Sequence, residues 1–384
     1  MSRGPRYVFL DVLRGLAVLW MIQVHVTNVF LDPDLRTGWF FELLNISNGF
    51  VAPAFLFCAG SGLWIALSRK GADYLKHGAA LGGYLQRMSY ILFWAYLLHV
   101  PTFSLMGMLD LPSDQLLMGL QVDVLQTIVF ASLLVLAVFL VLRNLQRTSV
   151  VVAVLAAAIS ASTVVVWQAL TSSAAIEPLT IMLTPRSPFP LFPWMAYLFA
   201  GVFFTQVFMQ ADNKKRLAQW MVALGVLVPV VLFWVKGLAF TSPWTSVGWQ
   251  ASPPGQLIRL CGIAMAFGGL FLLEERLQKS SAGRSLQLMG MESLFLYLSH
   301  LMLVYGNGPI ITEAIFGFEL TGFLGVVVIW LVVTVPLVFI ARWWHQLKKE
   351  RPLVARWMLV IQVSWIVLSF LLTPPGFQWV DVLG

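Results

Sequence analysis

Asp11, Arg14 and His25 are ionisable side chains inside one of the apolar stretches of the chain, LDVLRGLAVLWMIQVHVTNVF at residues 10–30. On a helix turning about 100° per residue, Arg14 and His25 lie within about 20° of one face and roughly 16 Å apart along the axis. Asp11, three residues before Arg14, shares that face within pairing reach, and Asn28 continues the stripe one turn beyond His25. Two readings fit this pattern. In one, Asp11 and Arg14 form an interfacial ion pair and His25 bonds a neighbouring helix. In the other, Arg14 holds a phosphate or another polar group of a ligand, while His25 acts as a base. Ionisable groups in hydrocarbon are costly and mark functional sites by default, which favours the second reading. His25 and Asp11 are therefore the catalytic candidates, and Arg14 the ligand-binding one.

Such a stripe needs a helix in a membrane to carry it, and the composition provides that setting. Of 384 residues, 59% are hydrophobic and 11% charged, with a mean hydropathy of +0.84. Soluble domains are about a quarter charged, so this chain has too little polar surface to face water on all sides. Apolar runs of about 20 residues recur along its length, each able to cross roughly 30 Å of hydrocarbon as a helix. They do not alternate as barrel strands do, which leaves helices as the spanning element. The pattern predicts an all-α polytopic membrane bundle of about eleven helices, near 8–30, 47–67, 83–101, 123–142, 149–170, 189–209, 217–240, 256–274, 286–305, 320–341 and 357–374.

A net charge of +7 raises the idea of a nucleic-acid partner, but the placement of the charges argues otherwise. Most Lys and Arg fall before the first span or in every second connection: Arg3 and Arg6, Arg69 to Lys76, Arg143 and Arg147, Lys214 to Arg216, Arg276 to Arg284, and Arg342 to Arg356. The other connections hold only Arg36 and Arg186. This is the positive-inside pattern, which predicts a cytoplasmic N-terminus, an outer C-terminus and no nucleic-acid role. No connection is long enough for a soluble core, so residues 1–384 read as one transmembrane domain, with its motifs over 6–305 and further helices over 320–374. The first run is longer than the apolar core of a signal peptide, carries charges and lacks a small-x-small cleavage site. Cys58 and Cys261 lie within spans and read as packing residues, with no metal expected. FLFCAGSGL (55–63) sets small residues where two helices can approach closely.

Several of these stretches resemble a known family. RYVFLDVLRGLAVLWMIQVH (6–25) is similar to the opening of the polytopic membrane acyltransferases, in the heparan-alpha-glucosaminide N-acetyltransferase-like branch. The spacing of Arg14 and His25 resembles the motif of the related acyltransferase family 3. The likeness continues through PAFLFCAGSGL (53–63), VDVLQTI (122–128), SPFPLFPWMAYLFAG (187–201) and GMESLFLYLSHLML (290–303), in family order. It implies an enzyme of many spans, placed in a bacterial inner membrane, that takes an acyl group from cytoplasmic acyl-CoA, commonly acetyl-CoA. The acceptor is a hydroxyl or amine of a glycan or related molecule on the far side. Carried over, Arg14 belongs to the donor side and His25 to catalysis. In the lysosomal branch the position matching His25 can be Asn, with the catalytic His in the following loop. Residues 31–46 hold no His here, which favours His25 as the working residue and weakens any transfer of the heparan substrate.

Further polar side chains fall near the outer half of the predicted bundle: His99, Asp123, Gln126, Lys236, Arg259 and His300. Asp123, Gln126 and His300 are candidates for binding the acceptor, with Ser293 and Tyr297 on the face of His300. Asp123 and Gln126 have an alternative as a helix cap and link. His99, beside Pro101 at a helix end, reads as an interfacial histidine, and Lys236 and Arg259 as snorkelling cations. Arg87, near the cytoplasmic side, is placed either to join Arg14 on the phosphates of the donor or to snorkel. Glu292, expected in mid-helix, is costly to leave unpaired, which makes it either a further binding candidate or a member of a buried pair. His77 and His345 fall in predicted cytoplasmic loops and carry no signal. No phosphate loop, dinucleotide fingerprint, serine elbow or metal-spaced Cys/His cluster is present in the sequence.

The expected function is an acyl-CoA-dependent transferase whose partners are the bilayer, acyl-CoA and a carbohydrate or other small acceptor. Its rival is a transporter or flippase for a lipid-linked sugar or small metabolite, with the buried His and Asp residues as a proton relay. The absence of an internal repeat counts against that rival.

Overall fold

Backbone polar groups in hydrocarbon must be satisfied within each segment, and the computed structural model meets that demand with helices alone. It describes residues 6–172, 177–239, 251–307 and 320–376, and among them no strand occurs. Arg3 lies outside the described residues, as does the side chain of Lys236.

The first half of the chain forms α1 (Val8–Phe30), α2 (Gly38–Asn48), α3 (Val51–Tyr74), α4 (Ala79–Leu97), two short helices α5 (Leu105–Leu109) and α6 (Ser113–Met118), α7 (Val124–Leu142) and α8 (Leu145–Thr171). The second half forms α9 (Glu177–Leu183), α10 (Leu191–Gln210), α11 (Lys214–Ala239), α12 (Pro253–Leu272), α13 (Glu274–Lys279), α14 (Ser281–Met291) and α15 (Ser293–Leu301). A π-helical turn, Met302–Asn307, extends α15, and α16 (Phe323–Glu350) and α17 (Pro352–Leu372) follow.

Nine described segments are long and apolar enough to cross a membrane, with α2 and α3 counted as one, and α14 with α15 makes a tenth. The protein is an integral, multi-pass membrane protein. The expected count of about eleven differs at two places. Over 83–101 the chain is helical to Leu97 as α4, but Gln86, Arg87 and three tyrosines lower its hydropathy, and it is not one of the nine. The expected single span over 286–305 is two helices bent by 78° at Glu292.

Close approach of backbones fixes the bundle around α1. A Cβ on Gly15 would sit 1.9 Å from the carbonyl oxygen of Leu286, and one on Gly290 would sit 1.9 Å from that of Asp11. The pair lets α1 and α14 touch main chain to main chain. Gly60 and Gly201 do the same for α3 and α10, at 2.0 Å from the Leu198 carbonyl and 2.1 Å from that of Phe57. Around these crossings Phe9, Phe208, Phe267 and Phe271 pack with centroids 4.8–5.9 Å apart, edge to face in every pair but the tilted Phe9–Phe208. At the other end of α1, main-chain hydrogen bonds tie Phe30 and Asp32 to Thr321 at the start of α16. Both ends of the Arg14–His25 helix are thereby held.

Candidate functional site

The stripe on α1 opens into two different cavities. Arg14 lines one of about 560 Å³, together with Lys70 and Tyr74 of α3, Tyr84 and Arg87 of α4, and Ser293 of α15. Its lining has three cations and no acid. The Arg14 guanidinium donates to the Cys58 carbonyl at 3.1 Å and passes over Gly62, where a Cβ would come within 3.3 Å of it. Tyr74 and Tyr84 also line this cavity, with ring centroids 5.7 Å apart. Three cations beside tyrosine rings suit a ligand that carries phosphates and a flat ring.

His25 lines the second cavity, about 700 Å³, with Asn28, Asn45 and Asn48, His99, Asp123, Trp194 and Tyr305. Its Nδ1 is hydrogen-bonded to the Tyr305 hydroxyl at 2.7 Å. Amide side chains around an indole face make a wall suited to a hydroxyl-rich molecule. Phe55, Val124 and Tyr297 line both cavities and form the wall between them. The Tyr297 hydroxyl donates to Asp123 Oδ2 at 3.1 Å, which ties that wall to the start of α7.

Asp123 is fixed by its place at the N-cap of α7. Its Oδ1 accepts from the Val124 N–H at 2.6 Å, and Gln126 completes a capping box by accepting from the Asp123 N–H at 3.1 Å. Oδ2 faces the cavity, 3.9 Å from His99 Nε2. His99 Nδ1 donates to the Ala95 carbonyl at 2.9 Å, so the ring expected at the interface stands in the cavity wall.

Four of the expected site residues are placed elsewhere. Asp11 pairs with Arg6, not with Arg14, and lies about four turns, roughly 21 Å, from His25 along α1, beyond any contact with it. Gln126 is buried, and its amide donates to the Ala95 carbonyl at 3.0 Å, so capping and linking helices use its polar atoms and the substrate role is withdrawn. Glu292 is not in mid-helix. It sits at the break between α14 and α15, 4% exposed, held by His345 Nδ1 at 2.7 Å and by the Lys348 ammonium. His345 was expected in a loop without signal but is on α16 as the partner of this carboxylate. His300 does not line the acceptor-type cavity. It is fully buried behind His25, with ring centroids 5.1 Å apart. Arg259, expected to snorkel, is buried against Gly49.

Sequence reasoning missed Tyr305, Lys70, Trp194 and the asparagines of α2. Tyr305 follows His300 by five residues, a spacing that shares a face only on a π-helical turn. Asn45 reads as a glycosylation sequon in the sequence, yet in the structure it lines the His25 cavity.

A family model, heparan-alpha-glucosaminide N-acetyltransferase, catalytic, matches residues 6–236, well over half of the 384. The chain belongs to the heparan-alpha-glucosaminide N-acetyltransferase catalytic family. It is accordingly a membrane acetyltransferase, of a family whose donor in general is acetyl-CoA. No curated protein is similar enough to match. The matched region carries Arg14, His25, Arg87 and Asp123. Tyr297, His300 and Tyr305, which complete the surroundings of His25, come from the part of the chain beyond it.

Proposed function

We propose that the protein moves an acetyl group from acetyl-CoA in the Arg14 cavity to a hydroxyl or amine of a carbohydrate-like acceptor in the His25 cavity. The observation that carries this reading is that one helix supplies Arg14 to one cavity and His25 to another, with a wall of three side chains between them. The donor's phosphates lie against Arg14, Lys70 and Arg87, and its thioester reaches the wall at Phe55, Val124 and Tyr297. With Nδ1–H donated to Tyr305, His25 presents Nε2 as the base. The acceptor oxygen or nitrogen bonds to the thioester carbonyl carbon as His25 takes its proton, and the carbon–sulfur bond breaks. The proton passes on to the departing CoA sulfur. Asp123, across the cavity, orients the acceptor.

The alternation of basic connections puts the Arg14 end at the cytoplasm, so the donor enters from there and the product leaves on the far side. The membrane is a bacterial inner membrane on this reading. General base catalysis is worth about 10²–10⁴ in rate. Purified His25→Ala protein that still binds acetyl-CoA is expected to lose acetyl transfer by that factor. Undiminished transfer by that variant would sink the proposal. Uptake of a sugar or metabolite that responds to pH and needs no acetyl-CoA would point to a transporter instead.

A further inference from the structure

α3 runs along both cavities and presents one stripe of side chains to them. Ala52 lines the His25 cavity, Phe55 lines both, and Ala59, Gly62 and Ala66 line the Arg14 cavity. Spacings of three, four, three and four residues put these five on one face of the helix, over about 21 Å of its length. Four of the five are Ala or Gly, and the exception is Phe55, which is 8% exposed. The bulky side chain of the stripe thus stands where the two cavities meet.

The other two members of that wall have further duties. The Tyr297 hydroxyl is tied to Asp123 at 3.1 Å, and Val124 opens α7 with its N–H held by Asp123 Oδ1 at 2.6 Å. The Phe55 side chain has no polar atom, so what it brings to the wall is size. In the transfer, the acceptor oxygen or nitrogen bonds to the thioester carbonyl carbon and the carbon–sulfur bond breaks. The acceptor's proton passes by way of His25 to the departing sulfur. Before attack, that carbon carries the sulfur, which trails back toward the phosphates, the carbonyl oxygen, and the alkyl part of the acyl group. The acceptor approaches from the His25 side, so the alkyl part lies against the wall. A chain longer than methyl needs the volume that the Phe55 ring fills.

We propose that Phe55 sets the acyl length of the donor: its ring leaves room at the wall for the methyl of an acetyl group and excludes propionyl and longer chains. This rests on the reading of the Arg14 cavity as the acyl-CoA site. Without the ring, the stripe from Ala52 to Ala66 is small throughout, a track along which an unbranched alkyl chain can lie. One methylene in a close-fitting apolar pocket changes selection about 10- to 200-fold, so a single ring at this place is enough to fix the donor.

The test is the binding of CoA, acetyl-CoA, propionyl-CoA and butyryl-CoA to the purified full-length protein by titration calorimetry, which needs no acceptor. The parent is expected to bind acetyl-CoA about tenfold or more tightly than butyryl-CoA, with propionyl-CoA between them. Phe55→Ala is expected to bind butyryl-CoA at least as tightly as acetyl-CoA, and Phe55→Leu to fall between Phe55→Ala and the parent. Affinity for CoA itself should stay unchanged in both, which also shows that the variants are folded; if Phe55→Ala does not fold, Phe55→Leu carries the test. Ile91→Ala enlarges a part of the Arg14 cavity that is not shared with the other, and should leave the ratio of acetyl-CoA to butyryl-CoA affinity as in the parent. Equal binding of the two by the parent overturns the proposal. So does a ratio unmoved in a Phe55 variant that binds CoA, or one moved as far by Ile91→Ala. A parent that binds none of the four refutes the reading of the Arg14 cavity, whereas a parent that binds acetyl-CoA with an unmoved ratio in the variants refutes only the role of Phe55.

Discussion

At the scale of single residues, the structure separates side chains that face a cavity from side chains that only resemble them in sequence. Arg14 and Arg87 come from different helices yet line the same space with Lys70, and no carboxylate is among the described residues of that lining. Their guanidinium forks match phosphate oxygens, so on the proposed reading they act on binding the donor more than on the chemical step. Arg14→Ala or Arg87→Ala is expected to raise KM for acetyl-CoA about tenfold or more with a smaller effect on kcat, read by steady-state kinetics over a range of donor concentrations. Asp11 carries the same formal signal in the sequence, but its carboxylate is paired with Arg6 at the entrance of α1. Gln126 is spent in the same way, on the capping box of α7.

At the scale of elements, two devices set where these residues point. The first is the pair of glycine crossings. A side chain at Gly15 or Gly60 must push carbonyl groups that lie 1.9 and 2.0 Å from its Cβ position, so α1 parts from α14, or α3 from α10. Overpacking of this sort costs about 1–3 kcal/mol or more. Gly15→Val and Gly60→Val are expected to lower the thermal midpoint of the purified protein, whereas Gly269→Ala, with nothing within 4 Å of its Cβ position, should leave it unchanged or slightly higher. The second device is the bend at Glu292, whose carboxylate is 3% exposed while Lys348 is 40% exposed. Removing the buried charge leaves a lysine that can still reach water; removing the lysine strands a buried carboxylate with His345 alone. Lys348→Met is therefore expected to destabilise more than Glu292→Gln in a thermal unfolding comparison, and the reverse order would contradict this account of the bend.

At the scale of the whole molecule, the two cavities and their shared wall make a question of sidedness. Acetyl-CoA is too polar to cross the bilayer, so on the proposed reading only the acetyl group passes the wall. In liposomes with the protein oriented one way, acetyl-CoA supplied at the Arg14 face should yield product on the His25 face and none on its own side. Product appearing with the donor would place both substrates in one cavity. The surfaces of α11, α16 and α17 carry exposed Trp234, Trp343 and Trp357 toward helix ends, in keeping with helices that end at a membrane interface.

The amino-acid sequence by itself determined that the chain crosses a membrane as helices, where most of those helices run, and that Arg14 and His25 share one face of the first. Those properties are local, since hydropathy over about 20 residues and a turn of 100° per residue need no tertiary contact to be read. The family, too, was legible, because its motifs are short runs within single helices. Only the tertiary structure decided that Arg14 and His25 open into separate cavities, that Asp11, Gln126 and Glu292 are committed to other partners, and that Tyr305 and His300 stand against His25. These depend on which helices touch and on a bend and a π-helical turn that break the regular helical spacing. Tyr305 lies 280 residues from the histidine it holds, a pairing that no local period encodes.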